Sequence, residues 1–366
     1  MTDASVPVLD LARRNARFAA PFSSAVERVV RSGHILLGAE LDAFEHAFAS
    51  YTGHRHCIGV SSGAAALQLA LVAMGVGPGD EVIVPAFTAV PTASAVCALG
   101  AIPVPVDVDA HTAAIDADAV RAAVTDRTRA IVPVHLYGRP ADLSGLADLA
   151  IPVLEDAAQA HGALPTHSAV ADPNAGRPRS IATTYSFYPT KNLGGIGDGG
   201  AIVTDDDDVA ALVRRLRVHG MSAQYVHTEI SQNFRMSELE AAWLNLTLPA
   251  LDADNERRRA ISRSYRTAAP GLTWHADHPD HVHHLCVLRS VERDRDRARL
   301  ASHGISTGVH YPLAITQQPG YQAFTRHACP QAQGWAAQCV SLPCFPEMTD
   351  GEVARAAEAL VTSLDG

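Results

Sequence analysis

Along the first two thirds of the chain, short β-rich apolar runs alternate with Ala-rich runs of helical spacing. Glu81–Pro85 (EVIVP), Pro103–Val108 (PVPVDV), Ala130–Val134 (AIVPV) and Pro152–Glu155 (PVLE) read as strands. Between them, Ala64–Met74, Thr88–Leu99, Asp116–Val124 and Ala141–Ala150 read as helices. Near-continuous apolar strands alternating with helices predict a mostly parallel sheet covered on both faces. Ligands on such sheets bind beyond the carboxyl ends of the strands, so the residues just after each strand carry the most information. A loop rich in Pro, Gly, Asn and Ser follows from Leu164 to Ser180. A β-like run, Thr183–Tyr188, then enters a glycine-rich turn and the strand Gly200–Thr204. Asp205–Asp208 opens a helix as a solvated acidic cap, where negative charge meets the positive end of the dipole. Ser237–Arg266 is a long helical pattern broken at Pro249, expected to link two domains. Beyond residue 267, a strand at Val282–Leu288 and a helix at Asp350–Leu364 predict a smaller α+β unit. The expected division is 1–245 for a large domain and 246–366 for a small one, with no internal repeat.

Composition narrows the function. The 366 residues are 47% hydrophobic and 19% charged, enough for a sizeable core, and the net charge of −10 disfavours nucleic acid and anionic membranes as partners. Arg257-Arg258-Arg259 is too short for a basic arm. The longest apolar stretch, Ala64–Val76, is interrupted by Gln68 and Gly75 and is too short to span a bilayer. No secretory leader is read at Met1–Ser5, and six scattered cysteines read as reduced thiols, so a cytoplasmic location is expected.

Three local patterns carry candidate chemistry. Lys191 is the only lysine in the chain, set between two strands beside Pro189 and several glycines. A surface lysine is the ordinary reading. A partly desolvated lysine in a loop that lets backbone approach a flat ligand is instead a nucleophilic amine suited to a Schiff base. The same loop contains Gly195-Ile196-Gly197-Asp198-Gly199-Gly200, which satisfies G-x-G-x-x-G but opens a strand rather than a helix, so a nicotinamide or flavin site is disfavoured. Second, Val153–Gly162 (VLEDAAQAHG) ends a buried strand in acids. Asp156 there suits either a helix N-cap or a partner for a cationic ring nitrogen, and the sequence leaves both open. Third, Ser61-Ser62-Gly63 feeding an Ala-rich helix offers free N–H groups to a phosphate.

Together with Leu36–Leu41, Val134–Gly138, Ser186–Gly200, Asn233–Ala241 (NFRMSELEA), Gly308–Pro312 and Ser341–Pro343, these patterns resemble the DegT/DnrJ/EryC1/StrS family of sugar aminotransferases. These are fold-type I enzymes that use pyridoxal 5′-phosphate, with pyridoxamine 5′-phosphate as the intermediate form. The resemblance implies a mostly parallel mixed sheet between helices, plus a smaller α+β domain. It implies that Lys191 carries the cofactor as a Schiff base and that Asp156 pairs with the pyridine nitrogen. It places Gln159 near the phenolic oxygen, and Ser186 with Ser62, Gly63 and Ala64 at the phosphate. Asn233 would reach the cofactor of a neighbouring subunit, so a homodimer with shared sites is expected. Tyr188, Tyr225, His310 and Tyr311 are candidates for substrate contact; core packing at a domain seam is the competing reading for the last two. The implied reaction moves an amino group from glutamate or glutamine to a nucleotide-linked keto sugar. A dTDP-linked 3-keto-6-deoxyhexose is the preferred acceptor and a UDP-linked one the second. A dehydratase-type reaction, which would call for histidine in place of Lys191, and a non-catalytic cofactor-binding regulator are the alternatives.

Three positions depart from the family pattern. Ala64-Ala65 replace Thr-Asp after the Ser-Gly turn. Ala89 stands where an aromatic residue stacks on the cofactor, with Phe87 nearby. Thr316 replaces a histidine after Tyr311, which points to an atypical substrate pocket. The run His275–His284 (HADHPDHVHH) is read as a polar loop and strand edge rather than a metal site, because Pro279 breaks any helix that would align its histidines.

Overall fold

The structure, a computed structural model, describes residues 5–163 and 180–364. In chain order the first half comprises α1 (Leu11–Ser32), α2 (Ala39–Thr52), β1 (His56–Val60), α3 (Gly63–Ala73), β2 (Glu81–Pro85), α4 (Pro91–Cys97), β3 (Ile102–Val106), α5 (Ala117–Ala123), β4 (Thr128–Ile131) and β5 (Val153–Asp156). It continues through β6 (Ser180–Ser186), β7 (Gly200–Thr204), α6 (Asp207–Leu216), β8 (Met221–Ala223), β9 (Val226–His227), α7 (Glu238–Thr247) and α8 (Leu251–Ala268). The remainder is β10 (Thr273–Trp274), β11 (Cys286–Arg289), α9 (Arg293–Ser302), α10 (Pro330–Gln338), β12 (Cys339–Leu342) and α11 (Asp350–Leu364). Most of the predicted loop 164–180 lies outside the described residues.

Seven strands form one sheet in the order β1-β7-β6-β5-β4-β2-β3. Strands β2 to β6 are parallel, whereas β7 runs antiparallel to both β1 and β6. Strands β2, β5 and β7 are buried at every position, which explains why they read as continuous apolar runs rather than alternating ones. One apolar cluster under the sheet gathers α3, α4 and α6; another, on the opposite face, gathers α2 and α7 around Phe44, Phe48 and Trp243. A separate three-stranded antiparallel sheet, β10-β11-β12, packs with α8, α9 and α11 around Tyr265, Phe345 and Leu360. Val6 joins that second core, and its backbone bonds to Gly304 and Ser306.

The α6 cap forms as the acidic run predicts: Asp206 accepts from the N–H groups of Asp208 (3.0 Å) and Val209 (3.1 Å). The long helical pattern does divide near Pro249, into α7 and α8 with a 3₁₀ turn between them. Three expectations are corrected. Ala141–Ala150 is not an α-helix but holds a single 3₁₀ turn at Ser144–Leu146. Gly145 and Ser144 sit at its centre, and the Asp142 carboxylate accepts from Ser144 N at 2.9 Å, a local bond that competes with helix. The helix expected from Thr88 starts only at Pro91, because proline suits a first helical turn and disfavours helix just before it. The strand expected from Val282 starts at Cys286. Helices α1 and α2 were not read from the sequence at all. Among the described residues, no helix is long and apolar enough to cross a membrane.

Candidate active site

The carboxyl ends of β2, β4, β5 and β6 face one cavity of about 310 Å³. Each strand end delivers one part of its wall: Thr88–Thr92 after β2, Val134 after β4, Asp156–Gln159 at the end of β5, and Ser186–Lys191 after β6. The turn Ser62–Ala64, which starts α3, closes the remaining side.

Asp156 is buried, with 4% of its surface exposed. Burial pushes its carboxyl above the usual range, opposed by hydrogen bonds from Ala158 N (3.1 Å) and Thr92 Oγ1 (2.9 Å) and by the charge of Lys191. Ala158 and Thr92 hold one oxygen each, which fixes the orientation of the carboxylate. The Lys191 loop is shaped by a turn in which Lys191 N donates to the Tyr188 carbonyl at 2.9 Å. Desolvation brings the Lys191 amine down to about 8, with Asp156 pulling the other way. A far larger share of the amine is therefore neutral near physiological pH than in an ordinary lysine, which favours a nucleophile.

Gln159 is held in one orientation. Its Oε1 accepts from Tyr137 N (2.7 Å), so its amide nitrogen must face the other way, where it donates to the Tyr311 hydroxyl (3.1 Å). The second N–H of that amide is a donor for an anionic oxygen in the cavity. At the α3 turn, a Cβ on Gly63 would lie 2.5 Å from Ser186 Cβ, and one on Gly200 would collide with the Ser62 carbonyl. These glycines bring Ser62, Gly63 and Ser186 together into a cup at a helix N-terminus. Ser62 Oγ accepts from Ala65 N at 3.1 Å and caps α3, which leaves its own hydroxyl proton to donate.

A second cavity, of about 350 Å³, meets the first at Tyr188 and Lys191 and adds His310, Tyr311, His284 and Arg258. Burial holds His284 and His310 below the usual histidine range, reinforced by Lys191. His161, also fully buried, is pulled down to about 3 by the same two causes.

The structure thus gathers Ser62, Gly63, Ala64, Ala89, Asp156, Gln159, Ser186, Tyr188 and Lys191 around one cavity, and His310 and Tyr311 around the adjoining one. Phe87 does not line the cavity. It is fully buried beneath it, stacked on Trp335 (centroids 6.0 Å apart) and edge-on to Tyr311 (6.5 Å), so it cannot replace the aromatic residue missing at Ala89. Tyr225, on the β8–β9 hairpin and 85% exposed, and Asn233, an exposed residue bridged to Val218, stand apart from both cavities within one chain. Thr316 also lines neither cavity, and among the described residues its buried hydroxyl has no partner. Sequence reasoning missed Thr92, Asp198, His284 and Arg258. Thr92 had a signal, since it lies one helical turn from Thr88, and the two hydroxyls are 3.2 Å apart.

The His275–His284 loop is largely packed, although His278, His281 and His283 also border an open surface cavity of about 440 Å³ and His284 borders the cavity beside Lys191. His275, His281, His283 and His284 are buried, and the rings of His281 and His283 stack at 3.8 Å. Among the described residues, no group of three His, Cys, Asp or Glu side chains is arranged to hold a metal ion.

Known proteins are similar to this chain in sequence and fold. The chain is 42% identical to the dTDP-3-amino-3,4,6-trideoxy-alpha-D-glucose transaminase of Streptomyces venezuelae, over 97% of this chain and 95% of that one. The solved structure of S. venezuelae DesV in complex with a ketimine intermediate superposes with a TM-score of 0.91 at 40% identity, covering 98% of each chain. NtdA from Bacillus subtilis with bound cofactor PMP superposes equally well, at 29% identity over 100% of this chain and 86% of that one. The fold is that of the fold-type I aminotransferases. The model of the DegT/DnrJ/EryC1/StrS aminotransferase family matches residues 18–361, and the chain belongs to that family.

Proposed function

We propose that this protein transfers an amino group from glutamate or glutamine to a nucleotide-linked 3-keto-6-deoxyhexose, dTDP-linked by preference, using pyridoxal 5′-phosphate. The observation that carries the reading is a desolvated amine, on the only lysine of the chain, sharing a cavity with a buried, oriented carboxylate and a serine–glycine cup. Each part of the cavity suits one part of that cofactor. The cup, with its helix N-terminus, suits the phosphate. Gln159 presents an N–H to the phenolic oxygen. Asp156, costly to bury alone, gains when it faces a cationic ring nitrogen. The cofactor, when bound, supplies an electron sink for the carbon that loses its proton.

The chain's own residues do the rest. Lys191 Nζ would hold the cofactor, and as a free amine in the same cavity it would accept the proton from the donor α-carbon. In the second half of the reaction it returns a proton to the sugar carbon that receives the amine. Arginine cannot do this, because it does not deprotonate. Asp156 would face the ring nitrogen and favour its protonated form, and the hydrogen bonds from Thr92 and Ala158 favour the ionised carboxylate against its burial. Tyr188, His310 and Tyr311 border the cavity that opens from Lys191 and would meet the substrates. A lysine at this position speaks against the dehydratase-type alternative.

The proposed division is a large lobe of 1–245 and a small lobe of 246–366, with the substrates held between them, in the cytoplasm. The six free cysteines, five of them buried, suit a reducing compartment. A homodimer is supported by the exposed apolar side chains of Leu36, Leu37, Tyr225, Val226 and Ile230, which one chain leaves uncovered. In such a dimer Asn233 would serve the partner's cofactor.

The test uses the single lysine. Borohydride reduction of the yellow holoenzyme, followed by peptide mass mapping, is expected to fix the cofactor mass on Lys191. Incubation with glutamate and a panel of dTDP- and UDP-linked keto sugars is expected to yield products showing the mass change of a keto-to-amine exchange. No label on Lys191, or no amine gain with any keto sugar, would overturn the reading.

A further inference from the structure

Arg258 lies on α8, in the middle of the Arg257-Arg258-Arg259 run, and its neighbours in sequence show what an ordinary surface arginine does here. Arg257 pairs with Asp350 at 2.7 Å, and Arg259 lies within 3.5 Å of Glu256. Arg258 is different. It is 4% exposed, lines the cavity of about 350 Å³ together with Lys191, and among the described residues has no carboxylate within ion-pair distance. Its one hydrogen-bond partner is neutral, the carbonyl oxygen of Cys344. The two acidic residues whose fields reach it, Glu347 and Asp254, are both engaged by Arg17, at 2.6 and 3.0 Å. The remaining polar walls supply no negative charge either. His284 and His310 are neutral, and burial holds the Cys344 thiol well above its usual range.

A buried guanidinium stays charged and is expensive without a counter-ion. A cavity that holds one beside a reactive amine, and contains no acid, is built for an anion. Given the aminotransferase reading, two anions visit this site: the α-carboxylate of the amino donor and the diphosphate of the nucleotide. The α-carboxylate is one bond from the carbon that carries the reacting amine, so it must lie in the cavity that contains Lys191. The diphosphate is separated from the reacting C-3 by part of the sugar ring. Val8, Leu9 and Leu342 add an apolar wall suited to side-chain methylenes. We infer that Arg258 binds the α-carboxylate of the amino donor and so makes this cavity the donor subsite.

Holoenzyme half-reactions with L-glutamate, L-glutamine and L-isoglutamine test this. The first two carry a free α-carboxylate; in the third it is an amide, while the γ-carboxylate is kept. In the wild type, isoglutamine is expected to show a KM about 10- to 100-fold above that of glutamine, the range for losing a hydrogen-bonded charge. Arg258→Gln is expected to raise the KM of glutamate and of glutamine by a similar factor, and to raise the KM of the amino-sugar half-reaction by at least tenfold less. Calorimetric binding of 2-methylglutamate, which lacks the α-hydrogen and cannot turn over, is expected to weaken in parallel. Arg258→Lys separates anion binding from support of the Cys344 loop. It keeps a cation against that carbonyl, so Tm is expected to return while donor KM recovers only in part, because an ammonium lacks the planar fork. If Arg258→Gln does not fold, the wild-type ratio of isoglutamine to glutamine decides alone. Equal wild-type KM values overturn the inference. So does a penalty on glutamate but not glutamine, which would place the γ-carboxylate here, or an equal penalty on the sugar, which would place the diphosphate. A wild-type enzyme that accepts an amine from no amino acid sinks the functional reading as well; a working wild type with an unchanged Arg258→Gln sinks this inference alone.

Discussion

Two regions of this molecule concentrate titratable groups: the strand ends around Asp156 and Lys191, and the loop His275–His284. In sequence the loop looks the richer, with five histidines in ten residues, whereas the strand ends offer one lysine and an Asp-Ala-Ala-Gln turn. In the fold the order reverses. The loop's histidines are spent on the interior: His275 Nε2 lies 2.8 Å from the Thr112 carbonyl, His281 Nδ1 accepts from His283 N (2.9 Å), and their rings pack on each other and on Trp335. Around Asp156, hydrogen bonds come from different elements and leave the carboxylate and the amine aimed at one open volume. Chemistry follows from an amine and a carboxylate held against one shared cavity, not from the density of ionisable side chains.

The largest effect that would break this comparison is at Lys191. Lys191→Arg keeps a cation in the loop but removes the base, and is expected to lower kcat by about 10⁴-fold or more in both half-reactions. A finer test follows from the lowered amine. In apoprotein, the rate at which pyridoxal 5′-phosphate attaches to Lys191 is expected to rise with pH and level off above about 8, rather than near the 10.5 of an ordinary lysine. Because the chain has no other lysine, absorbance at the imine band reads this site with little background. A midpoint near 10 would mean that the amine is not desolvated.

Next in size is Asp156→Asn, which removes the charge, keeps an acceptor oxygen for Ala158 N, and lets the Thr92 hydroxyl turn to accept from the new amide. It is expected to cost about 10²- to 10³-fold in kcat, the usual range for removing one preorganised electrostatic partner, with Tm close to that of the wild type. A large fall in Tm together with intact kcat would make Asp156 a structural cap, the other reading the sequence left open.

The strands and the site were legible in the sequence for the same physical reason. A parallel strand buried on both faces must be an apolar run, and where it ends, polar groups reach the ligand edge of the sheet. Much of the helical layer was not. In α1 the apolar series Phe18, Phe22, Ala25 and Val29 faces α7, but Pro21 interrupts it in the middle. In α2 the signal was present: Leu41, Phe44 and Phe48 recur at helical spacing and are buried. Arg258 was hidden in a run read as charge. Its position in the buried series Leu251, Asn255, Arg258, Ile261 and Tyr265, spaced four, three, three and four apart, marks it as the one arginine of the three that turns inward. The direction of Phe87 was not legible, because residues two apart after a strand need not face the same side once the chain turns into α4.

The histidine loop makes a prediction of intermediate size, on stability rather than rate. Burial lowers His275 to about 3 and holds His281, His283 and His284 well below the usual range, with Arg139 and Arg266 beside the first two and Arg266, Arg258 and Arg259 beside His283. The folded state therefore resists protonation that the unfolded state accepts below about 6.5. Stability is fully present above that pH and is lost as pH falls, by about 1.4 kcal/mol per pH unit for each such histidine. Chemical denaturation at pH 7.5, 6 and 5 measures this slope. His281→Asn, which removes one titrating ring, is expected to flatten it while changing kcat by less than about threefold. A changed kcat with an unchanged slope would give the loop a part in catalysis and undo the contrast.

The smallest effect is at Ala89, where the cavity wall lacks an aromatic ring and Phe87 lies too deep to supply one. Ala89 and Ala158 both line the cavity and offer a flat ligand only methyl groups. Ala89→Phe extends an aromatic face into a cavity of about 310 Å³, which has room for it provided that Leu67 and Pro91 yield slightly. An aromatic stacking contact contributes about 0.5–1.5 kcal/mol, so cofactor retention is expected to tighten by about 2- to 10-fold. Dialysis of the holoenzyme with absorbance readout measures this directly. Loss of cofactor from Ala89→Phe would show that the alanine preserves volume the site needs for its substrate, and would recast the departure as a specificity feature rather than a weakened clamp.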